Sequence, residues 1–319
     1  MEGEVASFLA SLFQLMEQYQ DIWVKGKLNK AGIRETESRY ELIKSIASQY
    51  KRPFTVLDIG ANLGYFSIRL TEDFPNCTVV AIESMYADWL KKVLSKNESE
   101  RVLLLERKFS LDDLKQLAKV EHFDLVLAMS VIHHIPGKFA EVLEAVRNLG
   151  DNVIAETATE DRACGQGSVK ESFIPDDASI LGYGKSHLKG PQRPVFLLQQ
   201  KRTTLPDRFV GCTRPDKSEM IIDSDFDSKT MTNRDETRDW HRGINLKTFR
   251  HFGGSRPSKE KIVEMLEPKK PTTPHHDLNV HNVILQGDDV QIIDFNDPAI
   301  KKGVSDDKAW KDMLRLLRG

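Results

Sequence analysis

The chain has 319 residues, a formal net charge of −2, 39% hydrophobic and 29% charged residues. That balance suits a soluble globular protein of one large domain or two modest ones. It excludes a strongly basic surface built for nucleic acid or anionic lipid, and no apolar run approaches the roughly 18 residues of a membrane-spanning helix.

Residues 1–52 read as helices. Val5, Phe8, Leu9, Leu12, Phe13 and Met16 recur at helical spacing, and the acidic start with Glu2 and Glu4 is unlike a secretory leader. A second helix follows in ETESRYELIKSIASQY, with Tyr40, Ile43 and Ile46 on one face. Residues 53–200 alternate strand and helix. The strands are expected at Thr55–Ile59, Thr78–Glu83, Val102–Leu105, Leu125–Met129, Asn152–Glu156 and Val195–Gln199. Helices are expected between them at Tyr65–Asp73, Ala87–Lys96, Leu111–Ala118 and Lys138–Asn148. Such alternation predicts an α/β fold, a doubly wound, mostly parallel sheet covered on both faces.

Residues 201–319 change character and read as a smaller α+β extension. RPDKSEMIIDSDFDSKTMTNRDETRDWHRG is polar with weak periodicity and reads as loops and short elements. Ser258 is expected to cap a helix that stops before Pro268. NVILQGDDVQIIDF reads as a hairpin turning at Gly287–Asp288, and DDKAWKDMLRLL as a terminal amphipathic helix. Cys77, Cys164 and Cys212 lie far apart without metal-ligand spacing, which points to reduced thiols in a cytoplasmic protein and to no bound metal.

The first strand runs into the turn LDIGANLGYFS. Ligands of a doubly wound sheet bind beyond the carboxyl ends of its strands, where Asp58 stands and where Gly60 and Gly64 let the backbone come close. The spacing is not the G-x-G-x-x-G of a dinucleotide site, and no P-loop lysine follows. The turn resembles motif I of class I S-adenosylmethionine-dependent methyltransferases. The resemblance extends through Glu83 at the end of VVAIE and FDLVLAMSVIHHI in the fourth-strand position, over about residues 50–200.

That resemblance implies S-adenosyl-L-methionine as cofactor. It implies Asp58, Gly60, Asn62, Gly64 and Glu83 around the donor, with Lys108, Phe109 and Met129 nearby. A carboxylate at Glu83 suits two ribose hydroxyls. His133 and His134 occupy the acceptor end, where an imidazole can take a proton near neutral pH. Ser186, His187 and Arg193 suit an anionic or polyhydroxylated acceptor, and Arg39 is counted with them; Arg34, Arg39 and Tyr40 lie on or near a helix before the turn, of a kind that can close over the donor. The expected activity is O-methylation of a sugar, glycan or phosphate-bearing small molecule. An RNA acceptor sits badly with the near-neutral charge; a non-catalytic module that only binds the donor is a further alternative.

One more stretch carries chemistry. HHDLNVHN completes H-x-D-x-x-x-x-N at His275, Asp277 and Asn282, and Asp294–Phe295 follow. It resembles the catalytic loop of kinases of the aminoglycoside-phosphotransferase type. Bifunctional enzymes that cap O-antigen polysaccharide join a methyltransferase and such a kinase in this order. Here no glycine-rich loop or strand lysine precedes the stretch, so the expectation is a kinase-like remnant without ATP turnover, with a bifunctional methyltransferase/kinase acting on a saccharide as the alternative. The sequence leaves the oligomeric state open.

Overall fold

The computed structural model describes residues 19–157, 173–185, 192–200, 202–205, 220–233, 236–272, 278–293 and 306–318. The expected helix over residues 5–16 lies outside them. The first described elements are strands β1 (Ile22–Val24) and β2 (Lys27–Lys30), paired antiparallel, where helix was expected. Lys25 and Gly26 have φ of 49° and 74°, the two positive values of a type I′ hairpin turn. Helix α1 (Thr36–Ala47) follows as predicted.

The sheet then unfolds close to expectation. Its strands are β3 (Phe54–Ile59), β4 (Cys77–Glu83), β5 (Val102–Glu106), β6 (Phe123–Met129) and β7 (Gly150–Glu156). Between them run α2 (Tyr65–Asp73), α3 (Ala87–Asn97), α4 (Leu111–Leu117) and α5 (Phe139–Arg147). Ser110 starts α4 with a reciprocal capping box to Asp113. Two strands close the far edge: β8 (Ser179–Gly184), not foreseen, and β9 (Arg193–Gln199).

Among the described residues, the short elements expected after residue 201 are an antiparallel meander of β10 (Arg202–Leu205), β11 (Met220–Ser224), β12 (Lys229–Asn233) and β13 (Glu236–Asp239). Its small apolar patch, Met220 and Ile222 with Met231 and Trp240, needs few hydrophobic residues, which hid the strands. Then come β14 (Ile244–Asn245), α6 (Leu246–His251), β15 (Gly254–Arg256) and α7 (Lys259–Leu266), capped by the Ser258 hydroxyl. The expected hairpin is β16 (Val283–Leu285) and β17 (Val290–Ile292), and the terminal helix is α8 (Asp306–Arg318).

The main sheet has the order β15-β5-β4-β3-β6-β7-β9-β8. Strands β3 to β7 are parallel, whereas β9 runs antiparallel to β7. Chain order reverses between β3 and β6, so the ligand crevice is expected there. Alternate residues of each parallel strand face opposite layers. Val56, Val79, Leu104 and Leu127 pack with α1, α2 and α3. Leu57, Val80, Leu105 and Val126 pack with α4 and α5.

The extension joins that second layer. Phe249, Phe252, Ile262, Leu285 and Leu317 belong to the same buried cluster as the sheet. β15 pairs with β5 through Gly254–Leu105 and Arg256–Leu104. The Gly243 N–H donates to Thr55 Oγ1 at 2.7 Å, and the Thr78 hydroxyl to Gln286 O at 2.7 Å. Lys229 of β12 reaches under the sheet, where Nζ lies 3.1 Å from Asp124 Oδ1 and 3.4 Å from Asp151 Oδ2. It also donates to His122 O. Burial opposes the Asp124 carboxylate, but Lys229 and Arg52 hold its pKa below the usual range. Burial pushes Asp151 up to about 6.

No helix among the described residues is long and apolar enough to cross a membrane.

Candidate active site

The donor turn begins where β3 ends. Asp58 is buried and its Oδ2 accepts from the Ser67 hydroxyl at 2.6 Å. Gly60, Asn62 and Gly64 all have positive φ, so the backbone coils tightly before α2. A Cβ on Gly60 would sit 2.8 Å from Val131 Cγ2 on the loop after β6. Glu83 ends β4 beside this turn. Its Oε2 accepts from Asn62 N–H at 2.7 Å, and its Oε1 from the N–H groups of Ser84, Met85 and Tyr86. Four backbone donors therefore fix the carboxylate, and Oε2 keeps a lone pair for a ligand hydroxyl. β1 packs over the turn through Ile22 on Leu63.

Lys108 is exposed beyond β5, and its charge acts on His134. Phe109 is buried, and its ring lies 5.4 Å from that of Phe252, so the core takes the side chain. Met129 is half-buried at the end of β6.

The residues expected at the acceptor end lie beyond β6, β7 and β9. His133 and His134 sit on a single 3-10 turn with ring centroids 4.1 Å apart. Burial, the neighbouring His134 and the guanidiniums of Arg193 and Arg34 press the His133 pKa down to about 4, against the pull of Glu156. Burial, Arg193 and Lys108 lower that of His134. Both rings are neutral at pH 7.

Behind them is a buried charge cluster. Glu156 ends β7 with no exposed surface. Its carboxylate accepts from Arg39 Nε at 2.7 Å and Nη2 at 3.1 Å, and closely from Arg34 Nη2. Arg39 also donates to Glu35 O and Lys185 O, and its guanidinium lies flat against Gly184. Its donors are committed inward, unlike those of a residue that greets substrate. Tyr40 is likewise turned in, its hydroxyl donating to Asp73. Arg193 is 1% exposed and donates from Nη1 to Ser130 Oγ at 3.2 Å. Its Nε and Nη2, like the neighbouring Thr157 hydroxyl, meet no hydrogen-bond partner among the described residues.

Residues 57–151 match the family model of a methyltransferase domain. The chain carries a methyltransferase domain. Its strand order, with an antiparallel strand beside the last parallel one, is that of the class I fold.

Two curated Escherichia coli proteins named O-antigen chain terminator bifunctional methyltransferase/kinase WbdD are each 23% identical over 213 residues. The match covers 61% of this chain and 29% of theirs. A low-resolution WbdD structure is 17% identical with a TM-score of 0.48, over 98% of this chain and 79% of that one. The N-terminal domain of EvdMO1, solved in the presence of SAH and D-fucose, is 13% identical with a TM-score of 0.45, over 62% and 97%.

The methyltransferase's donor turn fits S-adenosylmethionine: glycine where a Cβ would intrude, and a fixed carboxylate for the ribose. Burial, with the Glu83 charge adding to it, raises the Asp58 pKa to about 6 against the Ser67 hydrogen bond. If the Asp58 carboxylate takes part in holding the cationic donor, its ionised form binds more tightly, and binding below pH 6 then releases a proton. Calorimetric donor affinity should be flat above pH 7 and fall by up to about tenfold per pH unit below 6. An affinity flat to pH 5 would remove Asp58 from the donor site.

His187, Asp277 and Asp294 lie outside the described residues. Asn282 is buried in a turn leading into β16, where its carbonyl accepts from Ile293 N–H. The kinase-like hairpin thus packs into the methyltransferase core. Among the described residues no group of three His, Cys, Asp or Glu could hold a metal ion. Sequence reading missed Glu156 as a site residue and took it only as a strand end.

Proposed function

We propose that this methyltransferase transfers a methyl group from S-adenosylmethionine to an oxygen of an anionic, phosphate-bearing saccharide, in a cytoplasmic setting. The observation that carries the reading is Arg193: a buried guanidinium with two nitrogens that meet no hydrogen-bond partner among the described residues, beside two neutral histidines. Buried N–H groups without hydrogen-bond partners are costly, and an acceptor anion would relieve that cost. The curated relatives are named O-antigen chain terminators, which agrees with a saccharide.

The donor, when bound, supplies a methyl group on a positively charged sulfur. The chain's own part is alignment. Glu83 and the Gly60–Gly64 turn would fix the donor, and Arg193 would draw the acceptor oxygen in line with the methyl. The methyl–sulfur bond breaks as the oxygen–methyl bond forms, and its electron pair leaves on sulfur. An anionic oxygen has no proton to lose, which suits histidines this weakly basic.

Arg193→Leu should lower turnover on a hexose phosphate by about 100-fold, the scale for one lost charge-stabilising donor. Affinity for S-adenosylhomocysteine should stay within about twofold. Turnover unchanged by the substitution would refute the anionic acceptor.

A second reading, an alcohol acceptor with His133 or His134 as base, draws on the paired rings. In that case replacing the working histidine by Ala cuts turnover by roughly 10²–10⁴-fold. Phosphoryl transfer is not part of the proposal, because the kinase-like hairpin is committed to the methyltransferase core.

A further inference from the structure

Three guanidiniums, Arg34, Arg39 and Arg193, surround one carboxylate, Glu156, whose charge each of them stabilises, and all four groups are at least nine-tenths buried. The sharing is unequal. Arg39 has two bonds to Glu156 and two to backbone carbonyls. Arg34 bonds Glu156, the Tyr19 hydroxyl and Ser130 Oγ. Arg193 reaches only Ser130 Oγ among the described residues' hydrogen bonds.

Ser130 is itself held in an uncommon conformation, φ 58°, with its N–H donating to the Glu156 carbonyl at 3.1 Å. Its hydroxyl oxygen is where Arg34 and Arg193 meet. Glu156 thus controls both the carboxylate that holds two arginines and the carbonyl that sets the hydroxyl steadying the third.

We propose that Glu156 is a positioning residue. It ties Arg34 and Arg39 into the wall of the site and, through Ser130, leaves the Nε and Nη2 edge of Arg193 aimed at the acceptor anion. The inference rests on the anionic-acceptor reading above. It makes a demand that charge alone contradicts. A buried carboxylate repels an anion, so neutralising it should tighten anion binding if Glu156 served only to balance charge. If it positions Arg193, neutralising it should loosen anion binding.

The test uses the full chain saturated with S-adenosylhomocysteine and titrated calorimetrically with inorganic phosphate. Glu156→Gln is expected to weaken phosphate binding by about tenfold or more, although it removes a negative charge. Glu156→Asp should recover affinity to within about threefold of the unsubstituted chain. Ser130→Gly keeps the positive φ and every buried charge but loses the hydroxyl, and should also weaken phosphate by about tenfold. S-adenosylhomocysteine affinity should hold in all three.

Tighter or equal phosphate binding in Glu156→Gln overturns the proposal while leaving the anionic-acceptor reading intact. If Glu156→Gln does not fold, unchanged phosphate affinity in Ser130→Gly overturns it instead. If the unsubstituted chain binds S-adenosylhomocysteine but no phosphate, both the acceptor reading and this inference fall.

Discussion

Gly60→Val should abolish donor binding. The residue stands at φ +75° in the turn after β3, and its N–H, with that of Ala61, donates to Ile82 O. A β-branched side chain is strained at that φ, a cost of order 1–3 kcal/mol. The new Cβ would also press on Val131 Cγ2 at 2.8 Å. Val131 belongs to the loop that carries His133, so relief by moving it disturbs both halves of the site. A domain of ordinary stability, about 5–15 kcal/mol, tolerates the strain. Circular dichroism should therefore show the sheet retained while calorimetry with S-adenosylhomocysteine gives no binding heat. Gly64→Ala is the useful contrast, since its Cβ meets Leu90 Cδ1 at 2.6 Å and Ile68 Cδ1 at 3.6 Å, both in the helical layer and away from the histidine loop. It should cost stability more than affinity. Donor binding by Gly60→Val at unchanged affinity would remove the turn from the donor site.

Lys229→Met should be the most damaging single change to stability, at about 3–5 kcal/mol, the cost of breaking a buried ion network from one side. The ammonium is the shared partner of Asp124 and Asp151, and the side chain is 1% exposed. Its loss leaves Asp151 without its nearest cation in a site that already raises that carboxyl to about 6. The pH dependence follows. Asp151 has a folded pKa above its unfolded value, so its contribution is present at low pH and lost as pH rises through the folded pKa. Without Lys229 that pKa rises further. The variant's deficit should be largest near pH 8 and shrink toward pH 5, read from urea denaturation at both. A deficit below about 1 kcal/mol at pH 8 would mean that the meander is not anchored through this lysine.

The parallel sheet was legible because each strand is buried on both faces and reads as an unbroken apolar run, such as VVAI or LVLA. The Asp58-to-Gly64 turn was legible because glycine at two positive-φ positions leaves a local mark. The β1–β2 hairpin carried a signal that helical periodicity masked, the Lys25–Gly26 turn. The β8 strand, SILGYG, has exposed Ile180 and Tyr183 at a sheet edge and two glycines, so neither alternation nor propensity marked it. Glu156 was invisible for a different reason. Its partners Arg34 and Arg39 are 122 and 117 residues away, and only the closing of the sheet brings them together. The kinase-like residues made the opposite case: a strong local pattern whose hairpin the fold uses as core.

The most direct test of the account supplies methyl-labelled S-adenosylmethionine and a phosphate-bearing saccharide fraction to the full chain, with the products resolved by mass spectrometry. The account predicts a labelled O-methyl group on a phosphorylated saccharide, formed without ATP and lost in Arg193→Leu. No labelled saccharide from a protein that still binds S-adenosylhomocysteine would contradict it and leave a domain that holds the donor without using it.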